Sequence, residues 1–468
     1  MSSVLFTRIA MCTPESHVPG RRIDNLPPKA DNQTAMERYP HLKQSDPEIY
    51  DLIQQQTAYE SSTLKMIASE NYASFSVLEA CGSTLTNKYA EGYPGGRYYE
   101  GNEYVDQIES LAIERAKKLF GAEHVNVQPY SGSPANHAVY QALLKVGDKL
   151  MGMPVSDGGH LTHGWKVNFS GIDYVQVPYG PDPTTGRFDM DKIRETALKE
   201  RPKMIWVGAT AYPYKIEYKD FRAIANEIDA YLVADIAHIN ALIIAGVHPD
   251  PVPHCDIVSS TSHKMLRGPR AGFLLSKIED RLQTTHFPNS KFNLAQRVDR
   301  AVFPGLQGGP HLSIIAAMAT AFREALTPEF KIYGAQIVKN AKTLAEALLA
   351  KGYALAGGGT DTHLLLLDFR KAEFTGKQAA QALAKSGIIA NFNMVPGDHR
   401  SPFVTSGVRL GMPSLTTMGM KEADMYKVAD WIDRVCRNVS RIDEEAPVIR
   451  KEIAEFCSQF SVPGIADV

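Results

Sequence analysis

Residues 256–276, "DIVSSTSHKMLRGPRAGFLLS", contain two short apolar runs with a lysine-bearing turn between them. Two similar runs come earlier, "KMIWVGA" at 203–209 and "YLVADIA" at 231–237. Short runs of this composition are typical of strands buried on both faces of a parallel sheet. Other stretches have helical spacing, as in the apolar series Val105, Ile108, Ala112, Ala116 and Leu119. This alternation predicts an α/β fold, specifically a doubly wound sheet.

The chain divides into three predicted regions. Residues 1–47 are polar and proline-rich, and we expect a poorly ordered or partner-clasping N-terminal arm. Residues 48–315 alternate helical and strand-like stretches and form the predicted large domain. Residues 316–468 contain helices with the strand-like "HLLLLDF" and "GVRLG", which predicts a smaller α+β domain.

Composition excludes several classes of partner. The 468 residues include 50 Lys and Arg against 52 Asp and Glu, a net charge of −2. Nucleic acids and anionic membranes need a basic surface, so we expect neither as a partner. The five cysteines are scattered without a C-x-x-C pair, which indicates reduced thiols and a cytoplasmic location. No apolar run approaches the roughly 20 residues of a membrane span, and we expect no signal peptide.

Polar residues at predicted strand ends carry the chemistry, because open parallel sheets bind ligands at their carboxyl edge. The first group is Ser131, Gly132 and Ser133 in "YSGSPAN". Small residues and hydroxyls before a helix can cradle a phosphate, although a plain helix cap is the commoner explanation of such a turn.

Two further groups follow along the chain. Asp235 ends "YLVAD" and is either another helix cap or a carboxylate that keeps a heteroaromatic nitrogen protonated. Lys264 ends the next strand, beside His263, Arg267 and Arg270, where cations and burial lower the pKa of an amine. A phosphate cradle, a strand-end Asp and then a Lys, in this order, indicate a pyridoxal-phosphate enzyme.

The chain resembles the serine hydroxymethyltransferase family, within the aspartate-aminotransferase-like (fold type I) pyridoxal-phosphate enzymes. The resemblance runs from about residue 48 to the C-terminus. It rests on seven motifs: "MIASENYAS" (66–74), "LTNKYAEGYPGGRYY" (85–99), "SGSPAN" (131–136), "GGHLTHG" (158–164), "SSTSHKMLRGPR" (259–270), "FPGLQGGP" (303–310) and "SPFVTSGVRLGMP" (401–413).

The resemblance implies a set of cofactor contacts. Lys264 would form the Schiff base with pyridoxal 5'-phosphate, Asp235 would pair with its pyridine nitrogen, and His160 would stack on its ring. Phosphate contacts would come from Ser131, Gly132, Ser133 and His263, and contacts to the phenolic oxygen from Thr210 and His238. Tyr89 and the turn Gly308–Gly309 would reach the cofactor of a neighbouring subunit, which implies a homodimer or homotetramer with shared sites.

The resemblance also implies how the substrates are handled. Arg409 would bind the amino-acid carboxylate with help from Ser69 and Tyr99. Glu91 would be the acid/base near the substrate hydroxyl, and Asn393 would face the pterin of tetrahydrofolate. The implied reaction is reversible Cα–Cβ cleavage of serine or a similar amino acid, with one-carbon transfer to tetrahydrofolate.

At several positions this sequence differs from the residues that are usual in the family, and these differences leave alternative functions open. They are Glu100, Tyr130, Pro134, Ser156, Asp157, Asn240, Ala241, Met265 and Ala271. These departures are compatible with α-methylserine or another β-hydroxy amino acid as substrate, or with a folate-independent aldolase. A catalytically silent binding protein is a third alternative, although Lys264, Asp235 and Arg409 are all retained.

A metal site is a further alternative, because His160 and His163 are three residues apart. Glycine neighbours and the lack of a third ligand nearby in the sequence argue against it, and we expect none.

Overall fold

The computed structural model describes residues 38–465. The predicted arm therefore lies mostly outside the described residues, except for its last part, which is helical. Within the described residues, the compact units divide between Gln55 and Gln56, so both predicted domains, except residues 48–55, fall in the second unit. A domain boundary near residue 315 stays a prediction.

Strands and helices alternate through most of the described chain. The strands are β1 (Leu64–Lys65), β2 (Gly92–Tyr93), β3 (Gly96–Arg97), β4 (His124–Asn126), β5 (Lys149–Gly152), β6 (Val175–Pro178), β7 (Met204–Gly208), β8 (Tyr231–Asp235), β9 (Ile257–Thr261), β10 (Gly272–Ser276), β11 (Leu364–Asp368), β12 (Ile388–Ile389), β13 (Asn391–Asn393) and β14 (Gly407–Gly411). The helices are α1 (Pro40–Ser45), α2 (Pro47–Ser61), α3 (Phe75–Cys81), α4 (Glu103–Phe120), α5 (Gly132–Leu143), α6 (Phe169–Ile172), α7 (Met190–Glu200), α8 (Tyr218–Glu227), α9 (Asn240–Ile244), α10 (Gln283–His286), α11 (Leu294–Arg300), α12 (Leu312–Ala325), α13 (Pro328–Ala350), α14 (Gly376–Lys385), α15 (Pro413–Thr417), α16 (Glu422–Arg437) and α17 (Ile442–Cys457).

The central sheet has seven strands in the order β4-β10-β9-β8-β7-β5-β6. The strands from β9 to β6 are parallel, whereas β10 runs antiparallel to both β9 and β4. The α/β class is confirmed, but the expectation that "GFLLS" (272–276) lies in a parallel sheet is wrong. Only ten residues separate β9 from β10, and a parallel connection needs about a dozen or more.

The middle strands β7 and β8 are buried on both faces, because every side chain that they carry before the terminal Asp235 is apolar. Along β7, Met204 and Trp206 pack in one apolar cluster, and Ile205 and Val207 pack in the other. β8 divides its residues between the same two clusters. Since alternate side chains of a strand point to opposite faces, continuous apolar runs are what such a sheet requires.

A second, antiparallel sheet has the order β11-β14-β13 and includes Arg409 in its middle strand. The segment after β1 lies against this strand: Gly411 N donates to Met66 O at 2.7 Å, and a Cβ at Gly411 would collide with Ala68 Cα. Both "HLLLLDF" and "GVRLG" are strands, as predicted.

Candidate active site

A pocket lies at the carboxyl edge of the central sheet, where β7, β8 and β9 end. Its empty volume, counted out into open solvent, is about 280 Å³. Its lining consists of Gly132, Asn136, His160, Ala209, Thr210, Asp235, Ala237, His238, Thr261 and Lys264. Six of these are residues that the sequence predicted for the site, and they come from five separate stretches of chain.

Asp235 is the acidic group of the pocket and has hydrogen-bond donors on both oxygens. Oδ2 accepts from Asn136 Nδ2 at 3.0 Å and from His163 Nε2 at 3.2 Å, and Oδ1 accepts from Ala237 N at 3.1 Å. Burial alone would raise the pKa of this carboxyl, but the His163 hydrogen bond and the Lys264 charge outweigh it and lower the pKa. Asp235 is therefore a fixed negative charge at the carboxyl end of β8.

The two histidines of "GGHLTHG" have different partners. His163 Nδ1 accepts a backbone N–H at 3.4 Å, so its Nε2 carries the proton that is donated to Asp235. His160 Nδ1 lies 2.7 Å from the Thr162 hydroxyl, which also accepts from Asn136 at 2.8 Å. Burial lowers the pKa of His160 to about 4, so its ring is neutral at pH 7.

The folded chain supplies a third potential metal donor that the local sequence lacks. Ligand atoms of His160, His163 and Asp235 lie within 4.8 Å of one another. The hydrogen bond from His163 to Asp235 already accounts for the proximity of those two groups.

Lys264 is 9% exposed and forms no salt bridge with any carboxylate among the described residues. The pKa of its amine is lowered to about 8, chiefly by burial; the charge of Asp235 opposes the shift, and the charges of Arg409 and Arg270 add to it. A sizeable fraction of the amine is therefore uncharged near neutral pH, as a nucleophilic lysine requires.

Arg409 is 8% exposed and has no carboxylate partner among the described residues. Its Nε donates to Asn391 Oδ1 at 3.0 Å, and a terminal nitrogen donates to Thr210 O at 2.7 Å. Burial lowers the pKa of Arg409 to about 10, so the guanidinium stays charged at pH 7. A buried cation with only neutral partners is unusual, and it is suited to bind an anion that is not part of this chain.

The other two residues predicted at the substrate lie close to the strand of Arg409. Ser69 is half-buried on the segment that packs against Gly411. Asn393 is half-buried on β13, and its side-chain amide donates to Met394 O at 2.7 Å.

The predicted phosphate cradle forms the first turn of α5, so the helix begins at Gly132 and not after Asn136 as expected. Ser131 occupies the N-cap position of α5, but its hydroxyl makes no capping hydrogen bond. His263 is half-buried, its Nδ1 has no partner, and its pKa is lowered to about 3, chiefly by burial. The Ser131 hydroxyl, which makes no capping hydrogen bond, thus lies at the positive end of the dipole of a 12-residue helix, where it can donate to an anion.

The remaining predicted residues form a second group, which we call the tyrosine cluster: Tyr89, Glu91, Tyr99, Gly308 and Gly309. Tyr89 OH donates to Glu91 Oε1 at 3.3 Å, and the rings of Tyr89 and Tyr99 meet edge to face at 5.3 Å. A Cβ at Gly309 would lie 2.9 Å from the Tyr89 ring. Tyr89 and Tyr99 are 55% and 45% exposed, and none of the five lines the pocket described above.

Sequence reasoning missed three residues that hold the predicted ones. Asn136 and His163 bind Asp235, and Asn391 binds Arg409. Asn136 lies four residues after Gly132, on the same face of α5, so helical spacing could have revealed it. Asn391 gave no such signal, because only the β13–β14 pairing brings it opposite Arg409.

Comparisons with known proteins all point to one family. The serine hydroxymethyltransferase family model matches residues 42–432. The chain is 60% identical over 426 residues to serine hydroxymethyltransferase 2 of Mesorhizobium japonicum, covering 91% of this chain and 97% of the relative. It is 51% identical over 429 residues to the serine hydroxymethyltransferase of Acidothermus cellulolyticus and 50% identical over 426 residues to that of Sorangium cellulosum, with the same coverage.

Proposed function

The chain belongs to the serine hydroxymethyltransferase family, and on that premise we propose that it catalyses reversible one-carbon transfer between serine and tetrahydrofolate. One observation carries the proposal: a buried lysine with a lowered pKa shares a site with a strand-end carboxylate and a buried arginine that lacks an acidic partner. A catalytically silent binding protein would be expected to lack one of these groups, whereas Lys264, Asp235 and Arg409 are all present.

The pocket fits pyridoxal 5'-phosphate, the cofactor of this family. Three of its lining residues have a buried polar atom without a partner among the described residues, namely Asn136 Oδ1, His238 Nδ1 and Thr261 Oγ1. A polar heteroaromatic ring with an anionic arm would supply partners for such atoms. When bound, this cofactor supplies an electron sink for bond breaking at the amino-acid Cα.

The residues of the pocket would divide the work of holding the cofactor. Lys264 offers a partly uncharged amine as the attachment point, and Asp235 holds the proton on the ring nitrogen through its carboxylate charge. Ser131, Gly132, Ser133 and His263 would hold the phosphate, His160 would cover the ring, and Thr210 with His238 would bind the phenolic oxygen.

Substrate binding would rest on Arg409. Its guanidinium keeps its charge inside the protein, and Asn391 with the Thr210 carbonyl fixes its direction. A carboxylate that met it would form a charge-assisted, potentially bidentate pair. Ser69 would assist, and Asn393 would contact the pterin of tetrahydrofolate.

The tyrosine cluster would complete the site of a neighbouring subunit. Its two tyrosines are exposed, Glu91 is half-buried, and none of its residues lines the pocket of their own chain. Glu91 would move protons near the substrate hydroxyl, with Tyr99 beside it: the Glu91 charge, more than burial, raises the pKa of Tyr99 and keeps its phenol protonated. We therefore propose a homodimer, or a homotetramer built from such dimers.

The arrangement of domains along the chain and the cellular location are also proposals. We propose a large doubly wound domain to about residue 315, followed by a small α+β domain. We propose a cytoplasmic location, supported by four unpaired cysteines among the described residues: Cys81, Cys255, Cys436 and Cys457. No helix in residues 38–465 has both the length and the apolar character needed to cross a membrane.

A second candidate is transfer from α-methylserine or another substituted serine, with or without folate. Two departures from the family wording lie directly behind the pocket: Asn240 is fully buried and donates to Thr261 O at 2.9 Å, and Met265 is fully buried beside Lys264. A methyl group changes discrimination by only about 1–3 kcal/mol, so small shifts of the wall are sufficient.

One experiment separates the two candidates. Purified protein with added cofactor is incubated with serine or α-methylserine, each with and without tetrahydrofolate, and formaldehyde transfer is followed. Preference for serine by about a thousandfold or more in kcat/KM, with folate required, would support plain serine hydroxymethyltransferase activity. Comparable rates for α-methylserine would favour the second candidate, and absence of turnover on all four mixtures would contradict both.

A further inference from the structure

The lysine turn, residues 262–268, positions Lys264 through the backbone. Gly268 N donates to Ser262 O at 2.8 Å, and Arg267 N donates to Lys264 O at 3.1 Å. Arg267 has φ +56°, a left-handed conformation that is costly for a residue with a side chain. The turn is therefore a particular, constrained shape, and the amine at the end of a flexible side chain depends on it.

Asn71 contacts this turn from outside. Its Nδ2 donates to Lys264 O at 3.2 Å and to Tyr333 OH at 2.7 Å. Its Oδ1 accepts from Tyr72 N at 2.9 Å and from Thr417 Oγ1 at 2.7 Å. The orientation of this amide is unambiguous, because the Tyr72 N–H can only donate and the Lys264 carbonyl can only accept.

The segment that carries Asn71 is itself tied to the strand of Arg409. Met66 O accepts from Gly411 N at 2.7 Å, and Glu70 O accepts from Ser414 Oγ at 2.8 Å. The same segment carries Ser69. Asn71 thus links the backbone carbonyl of Lys264 to the segment that is tied to the strand of Arg409.

We propose that Asn71 is a positioning residue: by holding the Lys264 carbonyl, it sets where the lysine amine lies relative to the arginine that binds the substrate. The inference deepens the proposed function and rests on it. Asn71 is not among the residues that line the pocket, and it would act through the lysine backbone.

A purely structural role is the competing explanation, and the chain offers a matched control for it. Asn340 is fully buried, its Nδ2 donates to Thr416 Oγ1 and to Met420 O at 2.9 Å, and its Oδ1 accepts from Gln336. It therefore anchors the residue next to Thr417 without contacting the lysine turn. Loss of either asparagine leaves buried groups unpaired, which destabilises by about 1–3 kcal/mol per group.

The test uses the cofactor-loaded protein and the variants Asn71→Asp, Asn71→Ala and Asn340→Ala. Asn71→Asp keeps both acceptor contacts but places an oxygen against the Lys264 carbonyl. We expect kcat to fall roughly tenfold to a hundredfold in the Asn71 variants, with the pH midpoint of the visible cofactor absorbance displaced. Asn340→Ala should lower the melting temperature comparably and leave kcat and the midpoint unchanged.

A milder variant, Thr417→Val, covers the case in which both Asn71 variants fail to fold. It removes the hydrogen bond that the Thr417 hydroxyl donates to Asn71 Oδ1 and leaves the lysine turn unchanged. We expect a smaller displacement of the same absorbance midpoint. Unchanged midpoint and kcat in the folded Asn71 variants, or in Thr417→Val if those do not fold, would overturn the inference.

The proposed reaction can fail separately from this inference. If the wild-type protein binds the cofactor but transfers no one-carbon unit, the proposed function fails. The absorbance midpoint still reports on Asn71 in that case.

Discussion

The pocket around Lys264 and the tyrosine cluster contain residues of the same predicted site, yet they are built differently. Lys264 is 9% exposed and Asp235 has three hydrogen-bond donors within its own chain, whereas Tyr89 is 55% exposed. A preorganised pocket needs rigid surroundings, and this one obtains them from the ends of three buried strands.

The difference is what the proposed shared site requires: one chain would hold most of the cofactor site, and a second copy would supply the tyrosine cluster. Exposed aromatic residues and an acidic side chain have no function in an isolated surface turn, and they gain one when a second copy covers them. The two regions should therefore respond differently to mutation, and the variants below are ordered by the size of the expected effect.

Lys264→Ala should have the largest effect. The side chain contributes little to the core, and its burial without a salt bridge among the described residues is unfavourable, so the fold and the melting temperature should be retained. Turnover should fall by at least about 10³-fold, and the absorbance of lysine-bound cofactor should be lost. Steady-state kinetics and a visible spectrum check both; ordinary multiple turnover would remove Lys264 from the mechanism.

Mixing two inactive variants tests whether the tyrosine cluster acts across subunits. Glu91→Gln should be impaired alone, because the acid/base near the substrate is lost. Unfolding and refolding it together with Lys264→Ala should restore activity, since a mixed dimer contains one site with both native residues. If the mixture stays as inactive as its components, the cluster serves its own chain or the protein is a monomer.

Arg409→Ala should lower kcat/KM by about 30-fold or more, mostly through KM, because a desolvated charge pair with the substrate carboxylate is removed. Stability should change little, since the guanidinium has only neutral partners and its burial is unfavourable. Arg437→Ala is the control: its side chain is 64% exposed and pairs with Asp433 on the surface. Equal kinetics for the two variants would place the carboxylate elsewhere.

The sequence predicted the parts of the fold that depend on local pattern. Apolar runs identified β7, β8 and β9, and polar residues predicted at or just after their ends, Thr210, Asp235 and Lys264, line one pocket. The antiparallel direction of β10 was missed, although the short connection to β9 was visible in the sequence. The start of α5 was placed too late, because Gly and Ser in "SGSPAN" were read as a turn.

The contacts that orient the site depend on long-range packing. Asn71 reaches Lys264 across 193 residues, and Arg409 reaches the Thr210 carbonyl across 199. Neither pairing has a periodicity or spacing that a single sequence displays. The charged residues of the site, such as Lys264 and Arg409, could therefore be predicted from the sequence. The neutral amide and carbonyl groups that orient them could not.

The smallest expected effect concerns histidines buried behind the pocket. His363 is 1% exposed, neither of its ring nitrogens has a partner, and its ring lies 5.7 Å from that of His238. Burial, reinforced by the charges of Arg409 and Lys264, lowers the pKa of His363 to about 3, against an ordinary value of 6.5. Below pH 6.5 the unfolded chain binds a proton that the folded chain does not, so this residue must reduce stability as the pH falls.

His363→Leu removes that proton-binding group and should flatten the loss of stability in acid. The difference in unfolding free energy between variant and wild type should grow by up to about 1.4 kcal/mol per pH unit below 6.5, and be constant above pH 7.5. Urea unfolding from pH 8 to pH 5 measures it, with His399→Leu, at an exposed position, as the control. A difference that does not change with pH would mean that water reaches His363 in the folded protein, because a hydrated ring would take up its proton equally in both states. The pocket would then be as open to solvent as the tyrosine cluster.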